Sequence, residues 1–282
     1  MKSLFESLLD DLKDIEKFTN PKREIKQFLK ENYLNAPKFK VSKNPNSDGY
    51  YEVDCNALDC VEVKNIDITS LTNELFIFAN VKNFKCVRCF KLKTLKGAPK
   101  EVEQNFNCNG CIGLTTLEDA PEKVGKSIIC TQCHNLKSLK GAPRECGSFF
   151  CDFCENLNTL KYAPEKVYHN FNCSRCSSLT SLEGAPKEVG EDFNCQDCSN
   201  LTSLKGAPKE VGGDFNCKLC KKLTSLEGAP KKIEGNIYCY DCSNLKSLKG
   251  APQEVRGLFV CGHEFNEEDV KNVCKTKKVL IQ

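Results

Sequence analysis

Eight times the chain places two cysteines with two residues between them: Cys86 and Cys89, Cys108 and Cys111, Cys130 and Cys133, Cys151 and Cys154, Cys173 and Cys176, Cys195 and Cys198, Cys217 and Cys220, Cys239 and Cys242. C-x-x-C is a spacing with several uses. Paired sets can hold zinc or an iron–sulfur cluster, a pair at a helix N-terminus can cycle between dithiol and disulfide, and free cysteine is small and apolar enough to be buried. A zinc site needs a discrete set of four ligands with room for the ion, whereas eight pairs in register give every cysteine two equivalent neighbours. The most suitable single set is Cys239, Cys242, Cys261 and His263, because His263 breaks the pattern there. Redox chemistry draws its low thiol pKa from a following helix, and "KKLTSLEGAP" after Cys220 is not one. Disulfides between neighbouring coils fit the Cα separation of roughly 4.4–6.8 Å, but a reducing compartment keeps them open. The residues favour architecture: both cysteines face inward and fill a narrow interior, with no cofactor.

The elements that position them follow from the period. Successive pairs start 22 residues apart, except for one step of 21 between Cys130 and Cys151, and an incomplete ninth copy begins at Cys261. Each unit repeats two leucines, a proline, a valine and an apolar residue two before the first cysteine, as in Leu201, Leu204, Pro208, Val211 and Phe215. A fixed period with leucines at set offsets predicts a stacked solenoid, in which no unit buries its apolar side alone. Phe215 and Cys217 point inward from a short strand and Asn216 outward. Gly-Ala-Pro leaves no room for a helix, so each coil is mainly β. The short step falls between Cys146 and Phe149, which predicts a loop that absorbs the deletion. The residues immediately after the second leucine run Lys96, Glu118, Lys140, Lys161, Glu183, Lys205, Glu227, Lys249, nearly alternating in sign, and predict cross-coil attraction.

The pattern V-x-x-x-F-x-C-x-x-C-x-x-L-x-x-L-x-G-A-P resembles a leucine-rich repeat. It is most similar to the "LTSLEGAPKEVGG" repeat proteins of bacteriophages, and more loosely to BspA-like and YopM-like repeats, over residues 86–265. The chain departs from the phage pattern by C-x-x-C in place of a shorter turn with Asn. The resemblance implies a curved solenoid that binds a protein partner on its concave, strand-lined face and has no catalytic residues. For a phage-encoded chain it implies binding and neutralising a host or rival protein, such as a defence component. A metal-binding repeat protein, with zinc or iron–sulfur, is the alternative.

Composition agrees with a binding module. The 282 residues carry a formal charge of +3 with both signs mixed; Arg88, Arg175 and Lys218 alternate with Asp152, Asp197 and Asp241, which argues against nucleic acid. No apolar run is long enough for a membrane span, and acids interrupt the N-terminal "MKSLFESLLDDLKD", so a cytoplasmic location is expected. The three histidines, His134, His169 and His263, sit in different parts of the repeat, and no Ser-His-Asp pattern or phosphate-cradling loop predicts an enzyme. Residues 1–45 read as a helical cap or docking segment, with one helix from Ser3 and another from Asn20 and Pro21. Residues 46–85 read as a hairpin over "YYEVDCNALDCVEVKNI" and an irregular first repeat, 86–265 as the solenoid, and 266–282 as a closing helix and strand. On the strand face a mostly polar row is broken by Phe150, Tyr238 and Tyr240, with Phe153 nearby, and these are the candidate partner anchors.

Overall fold

The structure, a computed structural model, describes residues 20–34, 36–65 and 67–282; the expected helix over residues 3–18 lies outside them. The repeat builds a parallel β-solenoid of about ten coils spaced about 22 residues apart. A typical coil enters on a short strand such as Glu210–Val211, bends, and continues as a second such as Phe215–Asn216 before the first cysteine. It then turns at the second cysteine and returns through the two leucines and Gly-Ala-Pro without strand or helix. Equivalent residues face one another between coils: Phe171 lies opposite Phe193, Phe193 opposite Phe215, and Val189 opposite Val211. All the strands of this large sheet run parallel. Its two rows join where longer strands carry the chain around the bend, at Lys123–Ile129, Glu145–Phe150 and Glu254–Cys261.

The core is a set of one-residue columns. Both cysteines of every complete pair, both leucines and the phenylalanine or isoleucine before them are buried. Phe149, Phe171, Phe193 and Phe215 stack with ring centroids 5.2–5.8 Å apart. The one-residue deletion is taken up by a shift of register between Val124 and Ser127, opposite Cys146 and Ser148. This is a β-bulge within paired strands, where the spacing predicts a loop.

Side chains close each corner where the backbone cannot pair. Before the Phe-Asn strand, Asn170 Oδ1 accepts the Asp192 N–H, Asp192 Oδ1 that of Asp214, and Asp214 Oδ1 that of Asn236, at 2.7–3.0 Å. Between the leucines and Gly-Ala-Pro, a Ser or Thr hydroxyl accepts the N–H two residues on, as Ser203 does from Lys205 at 3.1 Å. The glycine that follows adopts a left-handed conformation, with φ of 95° at Gly206. A Cβ there would lie 2.4 Å from Leu182 O in the preceding coil. The predicted charge row forms ion pairs between Lys140 and Glu118, Lys205 and Glu183, and Lys249 and Glu227, at 2.6–2.8 Å.

At the N-terminal end the helix Pro21–Asn32 is capped by Asn20, whose Oδ1 accepts the Arg23 N–H, and it buries Ile25 and Leu29. The expected hairpin is not formed. Tyr51–Asp54 pairs in parallel with Phe76–Ala79, and Val61–Glu62 pairs in parallel with Phe84–Lys85. The alternating residues on both sides of the turn belong to two strand rows of one early coil, so their partners lie a full coil away. At the other end Asn266 caps the helix Glu267–Lys271 reciprocally with Asp269, and Lys275–Ile281 joins the sheet in parallel beside Glu254–Cys261. Among the described residues, no helix is long and apolar enough to cross a membrane.

Three consecutive residues test the assignment of columns. Leu204→Ala should cost about 2–5 kcal/mol through the cavity it leaves. Lys205→Ala should cost less than about 1 kcal/mol, because its pair with Glu183 is exposed. Gly206→Ala should be as damaging as the leucine change, because the new methyl group meets backbone. Thermal melts of the three variants check the order, and equal losses would contradict the columns.

Candidate functional site

The thiols are the first candidate for chemistry, and the corner geometry shows what they do. The residue two before each second cysteine is followed by one in the left-handed region, with φ of 55–61° at Arg88, Gln132, Phe153, Arg175, Asp197, Leu219 and Asp241. That residue still pairs along the stack, as in Arg175 N–H donating to Gln196 O and Asp197 N–H to Lys218 O. The turn swings the second cysteine inward. Its S–H then donates to the carbonyl of the first cysteine in the preceding coil: Cys111 to Cys86, Cys133 to Cys108, Cys176 to Cys151, Cys198 to Cys173, Cys220 to Cys195 and Cys242 to Cys217, at 2.7–3.3 Å. Cys154 donates likewise to Cys130 at 3.2 Å.

Such a bond needs the protonated thiol. Burial pushes the thiols of Cys217 and Cys239 well above their ordinary value, and those of Cys146 and Cys242 up to about 12. All 21 cysteines are free thiols. The metal candidates point to separate tasks. Cys242 donates to Cys217 O, Cys239 to Val260 O at 3.5 Å, and His263 Nδ1 to Gln282 O at 2.9 Å. Among the described residues, no three His, Cys, Asp or Glu side chains are grouped to hold a metal ion.

The second candidate is the strand face. Its asparagines do not bond one another in a simple row: the Oδ1 atoms of Asn107, Asn172, Asn194 and Asn216 accept the N–H two residues on, at 2.9–3.2 Å, and so cap the turn within each coil. Phe150 and Tyr238 occupy this row and cannot supply that acceptor. Phe150 lies between Ile129 and Asn172, and Tyr238 between Asn216 and Val260. All four aromatic candidates are half-buried. Arg175 covers the Phe153 ring at 4.7 Å and Lys218 the Tyr240 ring at 5.3 Å. Half-buried Asp152, between Phe150 and Phe153, has its carboxyl raised by desolvation, an effect opposed by its own backbone N–H and by Arg175. Phe150 and Phe153 share one coil and Tyr238 and Tyr240 another, so the structure does not merge the pairs. Four coil steps separate them, about 19 Å at the usual strand spacing.

The most exposed aromatics lie elsewhere. Tyr162 and Tyr168, 50% and 49% exposed, sit in rows otherwise occupied by glycine in most neighbouring coils, and Phe90 is 43% exposed. Lys161 and Lys166 lie over the two tyrosine rings, each at 5.2 Å. A row-by-row comparison of Gly141, Tyr162 and Gly184, and of Gly147, Tyr168 and Gly190, carries the signal that reading each motif alone does not.

The thiols make stability depend on alkaline pH. A thiol with a raised folded pKa keeps its proton after the unfolded chain has lost it, so its contribution is complete below the ordinary value, about 8.5, and is lost above it. Melting temperature in reducing buffer should be level from neutral pH to about 8 and should fall steeply above about 9. Addition of a chelator should not change it. A level profile through the alkaline range would mean that the thiols are not buried as neutral donors. Comparison with family models, curated proteins and solved structures finds no match to this chain.

Proposed function

We propose that the protein is a non-enzymatic binding module that holds a protein partner against its strand face. The observation that carries this reading is the pair of aromatic breaks in the capped asparagine row. The inward columns are committed to the stack, and neutral buried thiols are poor nucleophiles and poor metal ligands. The outward residues are free to differ between coils. At Phe150 and Tyr238 they exchange a useful turn cap for a large apolar surface. Two aromatic anchors about 19 Å apart, flanking polar asparagines, suit a partner surface of standard size, about 800 Å² on each side. The "LTSLEGAPKEVGG" pattern resembles the repeats of bacteriophage proteins, and that resemblance is the ground for proposing a role in binding and neutralising a host or rival protein.

Phe150→Asp combined with Tyr240→Asp tests the reading. Proteins captured by the wild-type chain from its native host should be lost from the double variant, with melting temperature changed by no more than a few degrees. Undiminished capture, or a collapse of stability, would remove these residues from the interface.

A further inference from the structure

The parallel sheet has an interruption near its start. Phe76–Ala79 ends the three-stranded sheet formed with Lys40–Val41 and Tyr51–Asp54. Among the described residues, no strand pairs with its far edge. The next coil reaches that level with Gly97, Ala98, Pro99 and Lys100 instead of a strand, and Pro99 has no N–H to give. Pairing resumes only at Val81, opposite Val102.

A groove of about 760 Å³ opens along this edge. Five consecutive residues, Phe76 to Asn80, line it. A strand that presented one face to a groove would contribute alternate residues; an unbroken run means that its backbone edge is presented. The hydrogen bonds agree. Tyr51 N–H donates to Leu75 O and Cys55 N–H to Ala79 O, so the odd-numbered residues bond toward Tyr51–Asp54 and Phe78 directs its N–H and C=O to the groove. Thr72 Oγ1 donates to Phe76 O at 3.2 Å, satisfying one carbonyl on the groove side. Tyr50, 40% exposed, stands on the rim. Of the charged residues of the groove, Glu74 pairs with Lys96 and Glu101 with Lys123 just outside it, which leaves Asp119 and Glu122 against Lys100, an acidic excess.

We propose that this edge accepts an extended, lysine- or arginine-bearing segment of a partner protein as an added β-strand. Backbone bonds to Phe78 would supply affinity, and the acidic rim would select the charge of the incoming strand. The chain's own residues 1–19 carry five acids and three lysines, the same sign as the rim, and are disfavoured as occupants. The groove shares no residue with the strand-face anchors, so either site can fail without the other.

The test uses the full chain and three capped heptapeptides: alternating Lys and Val, alternating Glu and Val, and the Lys-Val peptide N-methylated at alternate amides. Calorimetry should show saturable binding of the first only. Hydrogen exchange should slow at the Phe78 amide, and Glu122→Lys, an exposed change, should weaken binding about tenfold. No binding by the Lys-Val peptide, equal binding of the Glu-Val or methylated peptide, or protection elsewhere than Phe76–Asn80 would each overturn the proposal.

Discussion

From Cys111 onward, the bond from each second cysteine to the carbonyl of the first cysteine in the preceding coil sets the terms for the rest of the structure. A coil this thin has corners where the backbone leaves the strand ladder inside an apolar interior, and a carbonyl without a partner there carries a desolvation cost of about 1–3 kcal/mol. Alanine would leave the carbonyl bare. A hydroxyl would satisfy it but would bring a more polar atom into the column. The thiol is a weak donor with apolar bulk, so it satisfies the carbonyl and packs beside leucine. Repetition of cysteine thus follows from repetition of the corner, and the left-handed residue before each second cysteine follows from the need to aim the S–H along the stack.

Much of this was legible. The period, the inward rows at phenylalanine, cysteine and leucine, and the alternating outward lysines and glutamates are all one-residue-per-coil patterns, and a parallel stack turns such patterns directly into contacts. The corners were not legible in the same way. Ser203 and Asn216 read as ordinary polar surface, yet each accepts a backbone N–H two residues ahead. Positive φ at Arg175 or Leu219 leaves no compositional mark, because tertiary pairing imposes it on residues that do not prefer it. The false hairpin has a related cause: alternation tells which face a residue takes but not whether its partner is the adjacent segment or a coil away.

The candidate surface shows the converse rule. Residues that repeat hold the coils together, and those that depart from their row present something to solvent. Phe150, Phe153, Tyr162 and Tyr168 all fall in or beside one coil, next to the 21-residue step. That coil wears aromatic side chains on several sides, while its neighbours show mostly glycine, asparagine or charge, with Ile129 the apolar residue beside Phe150. The Asn-to-Tyr exchange at Tyr238 marks a second such place four coils on.

The ion-paired row also bears on how the chain avoids a fault peculiar to repeats. Leucine and cysteine columns are nearly degenerate: if one unit looped out during folding, the coils on either side could close over the gap with almost unchanged apolar contacts. The charges would not match. Without the Lys205 coil, Glu183 would stand against Glu227, and without the Glu227 coil, Lys205 would stand against Lys249, where the intact stack has opposite signs at 2.8 and 2.7 Å. Each exposed pair is worth only a few tenths of a kcal/mol up to about 1 kcal/mol, too little to hold the fold. From Lys161 to Lys249 their alternation acts instead as a parity check, penalising a skipped coil before the stack can propagate past the error.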